Sequence, residues 1–177
     1  MAICTILACL SIHEFGHMAA AWLSGGAIGE VVLFSLRPHV QILGSATHLE
    51  EAFRAVAGSA SSLIICFAFV LAGPVSGSGW QLVKDVATAF GCVELLGWSL
   101  SSISRTPSIS PDDAELFLTA SGYSPWIIIA ACGMIAVAGI LAFRISESRR
   151  NKHLITLHDE ARALLTRSAA AGTLGGY

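Results

Sequence analysis

Residues 10 to 22 read LSIHEFGHMAAAW. His13 and His17 are four apart, so on a helix both imidazoles leave the same face, one turn from each other. Two rings so placed can ligate one tetrahedral zinc ion. Glu14 follows His13 directly and stands beside such an ion, not on it, where a general base must be to take a proton from metal-bound water. Gly16 lies in the same turn and leaves room for another backbone to approach. The competing explanation is a chance His-Glu-x-x-His in a soluble helix, with both rings satisfied by core hydrogen bonds. The surroundings oppose it. The flanking run is apolar, and a charged side chain at mid-helix in a bilayer costs about 2.5–3.5 kcal/mol on insertion scales. A metal offsets that cost by making both imidazoles ligands and giving the carboxylate a water to bind.

The elements that carry these residues read as membrane helices. The 177 residues set one domain as the default. They are 54% hydrophobic and 12% charged, with a mean hydropathy of +0.71. A soluble domain carries about 25% charged residues, and half of that covers a globular surface poorly. Net charge is −2, with no basic block large enough for nucleic acid. The five cysteines, Cys4, Cys9, Cys66, Cys92 and Cys132, form no Cys-x-x-Cys pair and read as small core residues. No Lys or Arg precedes the apolar residues 1–12, and no clean small-x-small site follows, so this run reads as a span and not as a cleaved leader.

A helix needs about 20 predominantly apolar residues to cross the hydrocarbon. Residues 1–23, 53–73, 86–104 and 125–143 qualify or nearly qualify. The expected fold is therefore an all-α polytopic membrane protein of about four transmembrane helices, an integral multi-pass protein expected in the cell membrane. Between the first two spans, EVVLFSL and HVQILGSA around Pro38 predict a small β-hairpin over residues 29–44, with Gly25, Gly26 and Gly29 loosening the approach. Thr47 and Glu50 have capping-box spacing and start the next helix. Pro107 and Pro111 break the chain after the third span, and Ser110 or Asp112 caps a short helix that follows. Residues 1–143 form the core domain. Residues 144–177 form a polar C-terminal tail, with an amphipathic piece near LITLHDEARALL and a disordered end from residue 169.

A catalytic zinc site takes three protein ligands and keeps one open position. The acidic candidates are Glu30, Glu50, Glu51, Asp85, Glu94, Asp112, Asp113 and Glu115. Glu30, Glu50 and Glu51 suit solvated or capping roles, and Asp85 pairs with Lys84 at a membrane boundary. Glu94 lies inside the third span and carries a functional prior without a loosening Gly or Pro. Asp112 and Asp113 sit at a Pro-broken helix start, where one can cap and the other ligate. His39 and His48 read as solvated loop histidines.

HEFGHMAAAW on a first hydrophobic segment resembles the active-site helix of the site-2 protease family of intramembrane zinc metalloproteases. EVVLFSLRPHVQIL is similar to the hairpin after that helix, AVAGSASSLIICFA to the family's Ala-Gly-Pro-x-x-Asn helix, and SPDDAELFLTASG to its Asp-Gly motif. The resemblance spans roughly residues 5–121. It implies one Zn2+ held by His13, His17 and Asp113, with Glu14 as the catalytic base. Asp112 stands as the alternative third ligand. Ala114 stands where Gly is commoner, Ser59 where Pro is usual and Ser62 where Asn is usual. The family's Asn before the Asp motif is missing, and Ser102, Ser104 or Arg105 would have to donate in its place.

The implied activity is zinc-dependent endopeptidase cleavage in or near a transmembrane segment of a membrane-protein substrate, with the hairpin holding the unwound segment as an added strand. The rivals are an inactive relative that binds partner helices, and a metal-handling membrane protein such as a transporter. No connection between spans is long enough for an inserted PDZ-like domain, so substrate selection falls to the hairpin, the tail or another subunit. The positive-inside rule puts Arg144, Arg149, Arg150 and Lys152 in the cytoplasm and turns the hairpin outward, whereas the resemblance implies a zinc site nearer the cytoplasm. In either orientation the hairpin and Asp113 share one side.

Overall fold

A computed structural model describes residues 1–33, 38–73, 77–104 and 112–173. In chain order the elements are α1 (Ala2–Leu23), β1 (Ala27–Val32), β2 (His39–Leu43), α2 (His48–Ala72), α3 (Ser78–Ile103), α4 (Asp113–Ser121) and α5 (Pro125–Thr173). The protein is mostly helical, with one two-stranded antiparallel hairpin after the first helix. Helices α1, α2, α3 and α5 are each long and apolar enough to cross a membrane.

Burial runs opposite to the pattern of a water-soluble bundle. Most buried apolar positions are small, among them Ala20, Ala21, Ala52, Ala55, Ala87 and Ala114, with Val70 and Ile128 the larger exceptions. Large apolar side chains such as Ile64, Val93, Leu96, Leu100, Val137 and Ile140 point outward. Helices in lipid gain little by hiding Leu or Ile from their surroundings, so small residues that let backbones approach dominate their interfaces. Cys9, Cys66 and Cys132 follow the core expectation, but Cys4 and Cys92 lie exposed on outer faces; all five are free thiols.

The tightest approach is between α1 and α2. A methyl group on Gly16 would stand 2.3 Å from the Ala57 carbonyl oxygen, so only glycine permits this crossing. Arg54, buried in α2, ties the two helices together at the end of α1: its Nε donates to Ser24 Oγ at 2.7 Å. Gly25 then turns the chain with φ +70, a left-handed conformation that costs glycine nothing.

The hairpin begins at Ala27, two residues before the expected start, and its register shifts between Ile28 and Val31. Ile28 pairs with Ile42 but Val31 with Val40, so β1 carries one extra residue and Gly29 lies in the bulge. The Thr47 capping box is formed in both directions, with Glu50 N–H donating to Thr47 Oγ1 and Thr47 N–H donating to Glu50 Oε2. His48 is the exposed first residue of α2.

Helix α3 starts at Ser78, well before the expected residue 86. The expected Lys84–Asp85 pair does not form, because adjacent helical side chains do not face each other. Asp85 instead accepts from Gln81 Nε2 one turn away, and Lys84 turns inward to Ser146 Oγ at 3.2 Å. Helix α5 does not end near Arg144: its 49 residues run to Thr173 and reach about 74 Å, against roughly 30 Å of hydrocarbon. Residues 151–167 are exposed throughout, and the expected disordered end is helical as far as Thr173, with residues 174–177 outside the described residues.

Gly16→Ala should destabilise the protein by about 1–3 kcal/mol, since the helices must separate to admit the methyl. Gly97→Ala, where a methyl meets nothing within 4 Å, should be neutral or stabilising by up to about 1 kcal/mol. Thermal unfolding of both variants in detergent checks the contrast.

Candidate metal centre

Three ligand-type atoms meet where α1, α2 and α4 converge. His13 Nε2 lies 3.0 Å from His17 Nε2 and 3.1 Å from Asp113 Oδ2, and His17 Nε2 lies 3.2 Å from the same oxygen. The triangle is almost equilateral. Tetrahedral zinc with bonds of about 2.0–2.2 Å separates its ligand atoms by roughly 3.3–3.6 Å, so a small opening of the triangle would admit it.

The other ring nitrogens decide what sits on the facing edges. His17 Nδ1 is 2.8 Å from the Arg54 carbonyl oxygen, which has no proton to give, so Nδ1 must donate. A neutral His17 then presents a lone pair at Nε2. His13 Nδ1 lies 3.1 Å from Glu94 Oε1, an approach short in distance but oblique for a hydrogen bond. With its proton on that side, His13 also presents a lone pair at Nε2. Two lone pairs and a carboxylate oxygen then converge, a donor set that fits a divalent metal ion.

Local sequence explains each position. A methyl on Gly58 would lie 2.3 Å from His17 Nε2 and 2.8 Å from His13 Nε2, so the ring pair packs directly on the bare backbone of α2. Asp112 is the N-cap of α4 and accepts from Glu115 N–H at 2.9 Å, while Asp113, the first helical residue, faces the histidines. Asp112 Oδ2 also accepts from Ser101. Trp98 of α3 and Phe117 of α4 stack edge to face at 5.8 Å and fix α4 against the bundle. Burial works to raise the Asp113 carboxyl, but the hydrogen bonds and charges of His13 and His17 hold it well below the usual carboxylate range.

A second layer surrounds the triangle. Trp98 Nε1 donates to Ser59 Oγ at 2.7 Å, and Ser59 Oγ donates to Glu94 Oε2 at 2.7 Å. Glu94 therefore links α3 to His13 on α1 through one carboxylate. Glu14 is buried, only 9% exposed, and among the described residues its carboxylate makes no hydrogen bond or ion pair. Exposed His39 on β2 lies within electrostatic reach of it. A cleft of about 220 Å³ opens beside the cluster, lined by Ser59, Glu94, Trp98, Ser101, Asp112 and Asp113 among others.

The structure thus groups His13, His17 and Asp113, places Glu14 beside them and turns Asp112 to capping. Glu30 and Glu51 are exposed, and Glu115 opens α4. Ser102 donates to Trp98 O in its own helix, Ser62 donates to Ser59 O, and Arg105 lies outside the described residues. Sequence reading passed over the parts played by Gly58, Ser59, Trp98 and the Arg54 carbonyl. The only signal for that layer was Glu94, a charge inside an apolar span. No family model, curated protein or solved structure matches this chain.

Metal titration of purified variants tests the grouping. His17→Ala and Asp113→Ala should each lose tight binding of one divalent ion, while Asp112→Ala retains it with some loss of helix stability, about 1 kcal/mol for the cap. Loss of binding in Asp112→Ala alone would show that the register of the site is off by one residue.

Proposed function

We propose that this chain is a zinc-dependent intramembrane endopeptidase of the site-2 type, acting on peptide bonds in or near transmembrane segments of membrane-protein substrates. The observation that carries the reading is a triangle of two imidazole nitrogens and one carboxylate oxygen, with an unpaired buried glutamate beside it, in a chain with four bilayer-length apolar helices. His13, His17 and Asp113 would hold the ion, leaving the fourth position open. Zinc bound there would supply a water acidified to a pKa near 7 and a Lewis acid for the peptide carbonyl.

The chain's own groups supply the rest. Glu14 has no competing partner among the described residues, so its carboxylate is free to take the proton of the attacking water and return it to the leaving amine. The Arg54 carbonyl and Glu94 hold the outer nitrogens of the two rings, which fixes tautomer and orientation. Among the described residues each hairpin strand pairs on one edge only, which leaves the other edge able to hold an unwound substrate segment as an added strand. His39, on β2, would bring that segment past Glu14. The cleft of about 220 Å³ beside Asp113 would take one substrate side chain.

One observation favours an inactive relative that binds partner helices. The hydroxyls of Ser62 and Ser102 are both engaged within their own helices, so neither is free to donate to an oxyanion. A metal-transporting protein is less favoured, because one three-ligand cluster is found among the described residues and Glu94 is already engaged with Ser59.

Zinc content and cleavage of candidate transmembrane substrates in detergent separate these readings. Wild type and Glu14→Gln should each bind one zinc, with cleavage falling by about 10²–10⁴-fold in the variant. Zinc in both without cleavage in either supports the inactive relative, and no zinc in wild type overturns the proposal. Glu94→Gln should keep the fold but weaken zinc binding by about 10–100-fold, measured by chelator competition.

A further inference from the structure

A second feature lies away from the metal cluster. Helices α2, α3 and α5 leave between them a groove of about 620 Å³, lined almost wholly by apolar side chains, among them Leu63, Phe67, Leu95, Ile129, Ala136 and Phe143. From Ile129 to Phe143 it follows α5 for about 21 Å, longer than the roughly 15 Å of one leaflet's hydrocarbon. It suits a single extended hydrocarbon chain.

Among the described residues, one end of the groove carries a cation without a counter-charge. Ala87 and Thr88 of α3, Val70 of α2 and Ala142 and Phe143 of α5 line that end. Lys84 and Ser146, one turn further along their helices, meet there at 3.2 Å. Lys84 is only 5% exposed, and among the described residues no carboxylate lies within 4 Å of it. Its neighbour Asp85 is turned away to Gln81. A buried ammonium held by one neutral hydroxyl is a poor arrangement unless an anion completes it. Arg149 adds a second cation at the same end, where its Nη1 donates to the Leu71 carbonyl that closes α2. Basic groups between membrane helices at the end of an apolar groove match a lipid with an anionic head group.

We propose that this groove binds one anionic phospholipid, with an acyl chain along α5 and the phosphate at Lys84. The site neither touches the metal cluster nor depends on its occupancy. The full chain, purified in neutral detergent, is offered phosphatidylglycerol or phosphatidylcholine with identical acyl chains, and retained lipid is counted by native mass spectrometry. Wild type should retain one phosphatidylglycerol with at least tenfold preference over phosphatidylcholine. Lys84→Met should lose that preference and Lys84→Arg should keep it. Ala136→Phe, which blocks the middle of the groove, should lower retention of both lipids at least tenfold without lowering the unfolding temperature. Inorganic phosphate at millimolar concentration should not displace the lipid. Equal retention of the two lipids by wild type, a preference that survives Lys84→Met, unaltered retention in Ala136→Phe, or a second copy of the chain in place of lipid would each overturn the proposal.

Discussion

The structure depends on how closely α1 can approach α2. Two glycines, one on each helix, face the other helix at that crossing. Gly16 lets α1 settle on the Ala57 carbonyl, and Gly58 lets the two histidine rings lie on α2 with no side chain between. A methyl at either place would meet its neighbour at 2.3 Å, well inside van der Waals contact. The same closeness brings the Arg54 carbonyl within 2.8 Å of His17 Nδ1. Helix packing and ring orientation are therefore one constraint: opening the crossing would also free the rings.

The other elements act on that constraint from outside. Helix α4 delivers Asp113 across a separation of 100 residues, and its own N-cap, Asp112, determines that the next carboxylate points inward. Helix α3 contributes through Glu94, which reaches His13 directly and Ser59 by a hydrogen bond. A metal ion here would join α1 to α4 and bring ligand-binding free energy into the stability of the fold. In its absence protons must separate the same three atoms, so the ion and ring protonation compete for one place.

Much of this was legible in the sequence because a bilayer makes the rules simple. Long apolar runs gave four helices long and apolar enough to cross a membrane, because about 20 apolar residues in a helix match the hydrocarbon thickness. Thr47 and Glu50 gave the start of α2, because a capping box is a local interaction that tertiary packing seldom overrides. Helix ends were less legible. Polar residues in the first turns of α3 looked like a boundary, yet Gln81 and Asp85 satisfy each other within the helix and Lys84 finds Ser146 across the bundle. The polar stretch after Arg144 looked like a tail because hydropathy measures solubility in lipid, not helix formation. The contacts around the cluster were hidden for another reason. Gly58, Ser59 and the Arg54 carbonyl acquire their parts only when a second helix arrives, and no spacing within one helix encodes that.

Glu14 is the group of the cluster on which the proposed chemistry turns. The other ionisable groups of the cluster have partners: His13 and His17 face each other and Asp113, and Glu94 is held by Ser59. Glu14, itself buried, makes no hydrogen bond or ion pair among the described residues and feels the histidines only through their charge. In the proposed reaction that carboxylate stays free for a proton that arrives only with the reacting water. The hairpin strand β2 carries exposed His39 within electrostatic reach of Glu14, and among the described residues β2 pairs on one edge only, which leaves the other edge open. An extended peptide lying along that edge would have its backbone brought toward the one acid in the centre that has nothing else to hold.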